Sequence, residues 1–103
     1  MTIVLEIGTQ NYSDDLFSIK RAMSHMESLV SGYNGYVLSE PSTKFGWTFF
    51  KMAVKPNLQN GIEKKFADMI SRYNDGSPSQ KFGNFMNDYF NAKGCNVRVK
   101  TSD

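Results

Sequence analysis

Few residues of this 103-residue chain have the side chains that acid–base or nucleophilic chemistry requires. The single histidine, His25, falls on the polar flank of a predicted helix, which is typical of a solvated surface histidine. Asp14 and Asp15 occupy consecutive helical positions, which point about 100° apart, and their charge already suits the positive end of a helix dipole. Cys95 falls on a predicted core face, and a nucleophilic thiol would need a basic partner beside it. The sequence therefore predicts a protein that is not an enzyme, and the alternative is a small enzyme whose site forms only across a dimer.

The sequence also lacks the patterns that bind cofactors and metals. It contains no glycine-rich phosphate loop, no Walker motif and no metal-ligand spacing, so we expect no cofactor and no metal. A lone cysteine cannot form an internal disulfide, which favours a reducing compartment. No stretch approaches the roughly 20 apolar residues of a membrane helix, and the first residues lack the basic start of a signal peptide. We therefore expect a cytoplasmic protein with no membrane contact.

Aromatic and basic residues around the predicted strand Phe45–Val54 indicate binding instead. Side chains alternate between the two faces of a strand. One face of this strand is apolar and needs a core: Thr48, Phe50, Met52 and Val54. The other face, together with the last predicted strand, supplies the predicted binding residues: Trp47, Phe49, Lys51, Arg98 and Lys100. If helices cover the apolar face, these residues form an exposed aromatic and basic surface on the sheet.

The segment Phe45–Met52 resembles, in degenerate form, the third-strand motif of RRM RNA-binding domains. Gly46 matches the glycine of the motif, and Trp47 and Phe49 match its two stacking aromatics. Three positions depart from the family pattern: Phe45 replaces a basic residue, Met52 the last aromatic and Val4 a stacking aromatic of the first strand. The resemblance implies an alternative function, the binding of single-stranded nucleic acid by the sheet face.

Three other states of this face remain open. The third predicted helix could fold across it, two copies of the chain could pair through it as a homodimer, or a protein partner could dock on it. Protein–protein contact suits a small chain without a linker or a catalytic cluster. We therefore expect a non-enzymatic binding or regulatory protein of the adaptor or inhibitor type, similar in size to many small phage-encoded proteins.

Seven predicted elements position these residues. The strands are predicted at Thr2–Ile7, Tyr36–Glu40, Phe45–Val54 and Cys95–Lys100. The helices are predicted at about Asp14–Val30, from after Asn57 or after Asn60 to about Tyr73, and at about Pro78–Lys93. Between them, residues 41–44 are the predicted hairpin connection and residues 74–76 the predicted end of the second helix. Ser77 and Gln80 predict a capping box at the start of the third helix.

The order of these elements, strand, helix, strand, strand, helix, helix, strand, predicts an α+β fold. Two right-handed split crossovers give a ferredoxin-like βαββαβ sandwich with a four-stranded antiparallel sheet and an additional third helix before the last strand. The first and third strands would then be central. A different α+β arrangement of the same elements is the alternative. Because the chain is short and has no linker, we expect a single domain over residues 1–103.

Overall fold

Five strands and four helices follow one another along the computed structural model, which describes residues 2–74 and 76–102. The strands are β1 (Ile3–Thr9), β2 (Tyr36–Leu38), β3 (Ser42–Lys44), β4 (Trp47–Val54) and β5 (Val97–Thr101). The helices are α1 (Tyr12–Val30), α2 (Pro56–Lys65), α3 (Ala67–Ser71) and α4 (Pro78–Ala92). In the described part of the chain, no helix combines the length and apolar content that crossing a membrane requires. The predicted α+β class is confirmed.

The strands form one antiparallel sheet in the order β2-β4-β1-β5, and β3 also pairs with β4. β1 and β4 are therefore central, as predicted for the first strand and for the third predicted strand, Phe45–Val54. Their register places Ile7 of β1 opposite Phe50 of β4, and Ile7 also lies opposite Val99 of β5. Directly opposed residues point to the same side of a sheet. This register therefore places side chains of β4, β1 and β5 next to one another on each of the two faces of the sheet.

Apolar side chains on one face of the sheet pack against the helices and form the core. The buried strand residues are Leu5, Ile7, Phe50, Met52, Val54, Val97 and Val99. The large helix residues buried against them are Ile19, Met23, Met26, Leu58, Ile62, Phe82, Phe85, Met86 and Phe90. Each such burial contributes about 1.5–3 kcal/mol before entropic costs. The predicted inner face of β4 is thus confirmed at Phe50, Met52 and Val54, while Thr48 is half-buried.

The predicted strand Phe45–Val54 is too long, because its first two residues form a turn. Phe45 and Gly46 have φ angles of 52° and 79°. Positive φ at both residues of a two-residue loop characterises the type I′ turn, whose twist matches that of the flanking strands. The predicted hairpin connection at residues 41–44 is also wrong, since Ser42–Lys44 forms β3 and pairs with the start of β4. The sheet consequently has five strands instead of the predicted four.

The predicted second helix is two helices, so the described part of the chain contains four helices instead of three. α2 begins at Pro56, earlier than either predicted start, because proline suits a first helical position where its missing N–H needs no partner. It ends at Lys65, because the next residue, Phe66, has a φ of −112° and a ψ of 26°, which are not helical. The Phe66 ring instead packs on Phe85 of α4, with centroids 5.2 Å apart. The predicted end at residues 74–76 includes Asp75, which lies outside the described residues.

The last helix, α4, starts as predicted and packs on the same face of the sheet as α1. The Ser77 Oγ accepts a hydrogen bond from the Gln80 N–H, and the Gln80 Oε1 accepts one from the Ser77 N–H, which confirms the capping box. Four large residues of α4 join the core: Phe82, Phe85, Met86 and Phe90. The alternative in which this helix folds across the opposite face is therefore wrong. Other element ends differ from the predicted ones by one or two residues.

Both edges of the sheet are protected from pairing with further strands. Beside β5, the Asn87 Oδ1 of α4 accepts a hydrogen bond from the Val99 N–H (2.9 Å), and the Asn91 Nδ2 donates to the Val97 carbonyl (3.2 Å). The opposite edge consists of β2 and β3, which have three residues each and are separated by residues 39–41, a stretch that includes a proline. Short, interrupted edge strands and occupied backbone groups both discourage strand addition.

Candidate functional site

The five residues predicted to bind a partner lie together on the sheet face that the helices leave uncovered. The strand register places Phe49 of β4 opposite Gly8 of β1, and Gly8 opposite Arg98 of β5. The next row of the same face contains Lys51, Glu6 and Lys100. Trp47 precedes Phe49 by two residues on β4 and therefore shares its face. The predicted set is thus one continuous surface.

Two aromatic rings lie side by side at one end of this surface. The centroids of Trp47 and Phe49 are 6.4 Å apart, and their ring planes differ by only 20°. Gly8 lies under both rings: a Cβ at this position would be 3.0 Å from the Phe49 Cε1 and 3.6 Å from the Trp47 Cε3. The Arg98 Cζ lies 5.1 Å from the centroid of the Trp47 ring, a cation–π contact. The absence of a side chain at Gly8 lets the aromatic rings approach the backbone of β1 closely.

Positive charge surrounds these rings. Glu6 is flanked by Lys51 on one side and by Lys100 on the other, with the Lys100 Nζ 3.8 Å from the Glu6 Oε1. Lys44 of β3 lies opposite Trp47 in the register and therefore belongs to the same face. Together with Arg98, the strand positions of this face carry four cations and one carboxylate, on a chain whose net charge is only +2.

A shallow groove of about 430 Å³ runs over this surface. It is lined by Glu6, Gly8, Trp47, Phe49, Arg98, Val99 and Lys100. Phe49 is 38% exposed and Trp47 is half-buried, so the aromatic faces are partly accessible to a partner. We refer below to this surface, together with Lys44 and Lys51, as the cationic face.

Gly8 and Lys44 belong to the cationic face but are absent from the predicted binding residues. A glycine inside a strand marks a place where another group approaches the backbone closely, and this signal points to Gly8 once β1 is extended to Thr9. Lys44 joins the face only because Phe45 and Gly46 form a two-residue turn, which fixes its register with Trp47. The sequence pattern alone assigned Lys44 to a loop.

His25 and Cys95, the two candidates for a base or a nucleophile, do not belong to the cationic face. His25 is exposed and lines a groove of about 250 Å³ together with Arg21 and Lys93. Cys95 is buried. Burial raises the pKa of its thiol above the ordinary value, and the nearby Asp15 carboxylate raises this pKa further. A thiol with a raised pKa is a poor nucleophile because the thiolate is the reactive form. Among the described residues, no group of three or more His, Cys, Asp and Glu side chains is placed to hold a metal ion.

Asp15 has a structural role that the sequence pattern did not indicate. Its side chain is buried, with 7% of the residue exposed, and it accepts hydrogen bonds from the Thr9 Oγ1 (2.5 Å) and from the Asn96 N–H (3.2 Å). Thr9 ends β1, and Asn96 immediately precedes β5. Asp15 therefore links the ends of the two strands that carry Gly8 and Arg98 of the cationic face.

Protein-family models, curated proteins and solved structures were compared with this chain, and none of them matches it. The resemblance to the RRM motif therefore rests on the segment Phe45–Met52 alone.

Proposed function

We propose that this protein is a small non-enzymatic binding or regulatory protein, of the adaptor or inhibitor type, that docks its cationic face on an acidic surface of a protein partner. The observation that supports this proposal is the uncovered sheet face itself. The described helices pack on the other face, while Trp47, Phe49 and Arg98 meet on this one. Tryptophan and arginine are the residue types that most often dominate the binding energy of protein interfaces. We also infer a ferredoxin-like βαββαβ fold, an inference supported by the order β2-β4-β1-β5.

The charge of the cationic face favours an acidic partner over a second copy of the chain. A face-to-face homodimer would bring Lys44, Lys51 and their neighbouring cations against the same cations of the other copy. Juxtaposed like charges disfavour association, whereas an acidic surface is steered toward such a face. The protected edges of the sheet disfavour strand addition as the binding mode. The buried free thiol of Cys95 is compatible with a reducing compartment and supports the predicted cytoplasmic location.

The test is affinity capture from a nuclease-treated lysate, identification of the captured protein by mass spectrometry, and titration of the purified partner. Trp47→Ala and Lys51→Glu should each weaken binding by at least about 30-fold, the effect of losing about 2 kcal/mol at an interface hot spot. The matched controls are Phe17→Ala, which removes an aromatic side chain from α1, and Lys64→Glu, which reverses a charge at the end of α2. If the controls weaken binding as much as the test variants, or if the test variants bind normally, the cationic face is not the interface.

One observation favours a second candidate, the binding of single-stranded nucleic acid. The nearly parallel rings of Trp47 and Phe49 beside Gly8 form a platform on which bases could stack, with cations available for phosphates. Glu6 lies between Lys51 and Lys100 and would repel a phosphate backbone there, which is why we place this candidate second. Trp47 is the only tryptophan, so its fluorescence reports directly on this face. Quenching by oligo(dT) or oligo(U) at low salt, with affinity that falls steeply as salt rises, would favour nucleic acid over protein.

A further inference from the structure

The turn between β3 and β4 carries an aromatic side chain that does not contribute to the core. Phe45 is 91% exposed, the highest exposure among the large hydrophobic residues described as exposed. Its φ of 52° lies in the left-handed region, which is unfavourable for a residue with a Cβ and is an outlier for a bulky one. Type I′ turns select asparagine, aspartate or glycine at this position. The turn therefore explains Gly46 but not Phe45.

Phe45 lies directly beside the cationic face. Lys44 and Trp47 flank the turn and pair with each other across it, so the ring projects from the end of the hairpin that carries both. The Lys44 Nζ lies 5.7 Å from the centroid of the Phe45 ring. The exposed ring of Phe45 thus has the Lys44 ammonium group above it, and further cations lie on the adjoining sheet. A strained backbone conformation at a residue whose side chain does not pack in the core is characteristic of functional positions.

We propose that Phe45 is the anchor that the β3–β4 hairpin inserts into an apolar pocket of a folded protein partner, a pocket whose rim carries carboxylates. The apolar pocket would bury the ring, and the carboxylates would complement Lys44 and the cationic face beside it. This inference rests on the proposed function, because it assumes that the cationic face is the rest of the same interface. The further step is to identify Phe45 as the anchor of this interface and to state the chemistry of the pocket that receives its ring.

The proposal predicts opposite effects of one substitution on folding and on binding. Phe45→Asn places a residue that tolerates positive φ in the turn, so the melting temperature should rise by about 4 °C or more. The same substitution should weaken binding to the partner identified by affinity capture by about 30-fold or more. Phe17→Ala, which removes another exposed ring but leaves the hairpin intact, should leave binding unchanged. A variant that is both more stable and binding-deficient cannot be explained by loss of fold.

The pocket itself can be identified by placing the photo-crosslinking residue p-benzoylphenylalanine at position 45, with position 17 as the control. The expected result is a crosslink from position 45 to apolar residues of the partner with aspartate or glutamate close by on its surface. If Trp47→Ala abolishes binding but Phe45→Asn does not, the anchor is refuted and the proposed function stands. If position 45 crosslinks to nucleic acid, or if neither variant weakens binding, the anchor is refuted together with the proposed protein interface.

Discussion

Replacing Asp15 by alanine should destabilise the protein strongly, whereas replacing its neighbour Asp14 should not. The Asp15 carboxylate is buried and accepts hydrogen bonds from the Thr9 Oγ1 and the Asn96 N–H. A hydrogen bond to a charged group contributes about 1.5–3 kcal/mol, so the loss of two predicts a destabilisation of about 3 kcal/mol even at the lower value. Asp14 is exposed and accepts one hydrogen bond from the Asn11 Nδ2 (2.9 Å). Asp14→Ala should therefore cost less than about 1 kcal/mol, mainly through the helix dipole.

The two variants form a matched pair, because both remove one carboxylate from the first turn of α1. Urea unfolding followed by Trp47 fluorescence and by far-ultraviolet circular dichroism gives the free energy of unfolding of each. A loss of about 3 kcal/mol is a large part of the roughly 5–15 kcal/mol that stabilises a domain. It corresponds to a fall in melting temperature of roughly 12 °C or more for a chain of this size.

Equal stability of the Asp15→Ala and Asp14→Ala variants would refute the reasoning. It would mean that the desolvation of the buried carboxylate offsets the two hydrogen bonds that it accepts. The link between β1 and β5 would then contribute nothing net to stability, and the position of Arg98 would have to depend on strand pairing alone.

Two further predictions concern α4. Asn87→Ala removes the acceptor of the Val99 N–H, so hydrogen exchange at the Val99 amide should accelerate, while amides paired between β1 and β4 keep their protection. Unchanged exchange at Val99 would show that the hydrogen bond from Asn87 does not protect this edge of the sheet. Burial raises the pKa of Tyr89 to about 12, above its ordinary value of 10.0. The folded state therefore holds this proton more tightly than the unfolded state, and the stabilisation is complete below pH 10 and is lost as the pH rises from 10 to 12. The difference in stability between the wild type and Tyr89→Phe should shrink over this interval, and a constant difference would contradict the raised pKa.

Local periodicity predicted the parts of the fold and of the site that depend on one element at a time. The alternation along β4 separates the core residues Phe50 and Met52 from Trp47 and Phe49 without any information on strand pairing. The cap at Ser77 followed from side chains three residues apart. These signals work because a strand or a helix start imposes its geometry on neighbouring residues, whatever the rest of the chain does.

The features that the sequence did not predict depend on an unusual local conformation or on contacts between distant segments. Phenylalanine is a strand residue by propensity, so nothing in its type indicated that Phe45 adopts positive φ in a turn. The helix break at Phe66 accompanies the packing of its ring on Phe85 of a later helix. The buried role of Asp15 requires Asn96, 81 residues further along the chain. Periodicity carries no information about such pairings.

The protection of both sheet edges disfavours strand addition as a way for a partner to bind this protein. Strand addition obtains affinity from backbone hydrogen bonds and therefore tolerates changes of side chain. Here the backbone of β5 is occupied by Asn87 and Asn91, and the opposite edge is short and interrupted, whereas the cationic face is open. Under the proposed function, affinity at this face comes from side chains, and we expect the binding energy to be concentrated in the few rings and cations that a partner can desolvate. We therefore expect the proposed binding to depend on Trp47 and the residues around it.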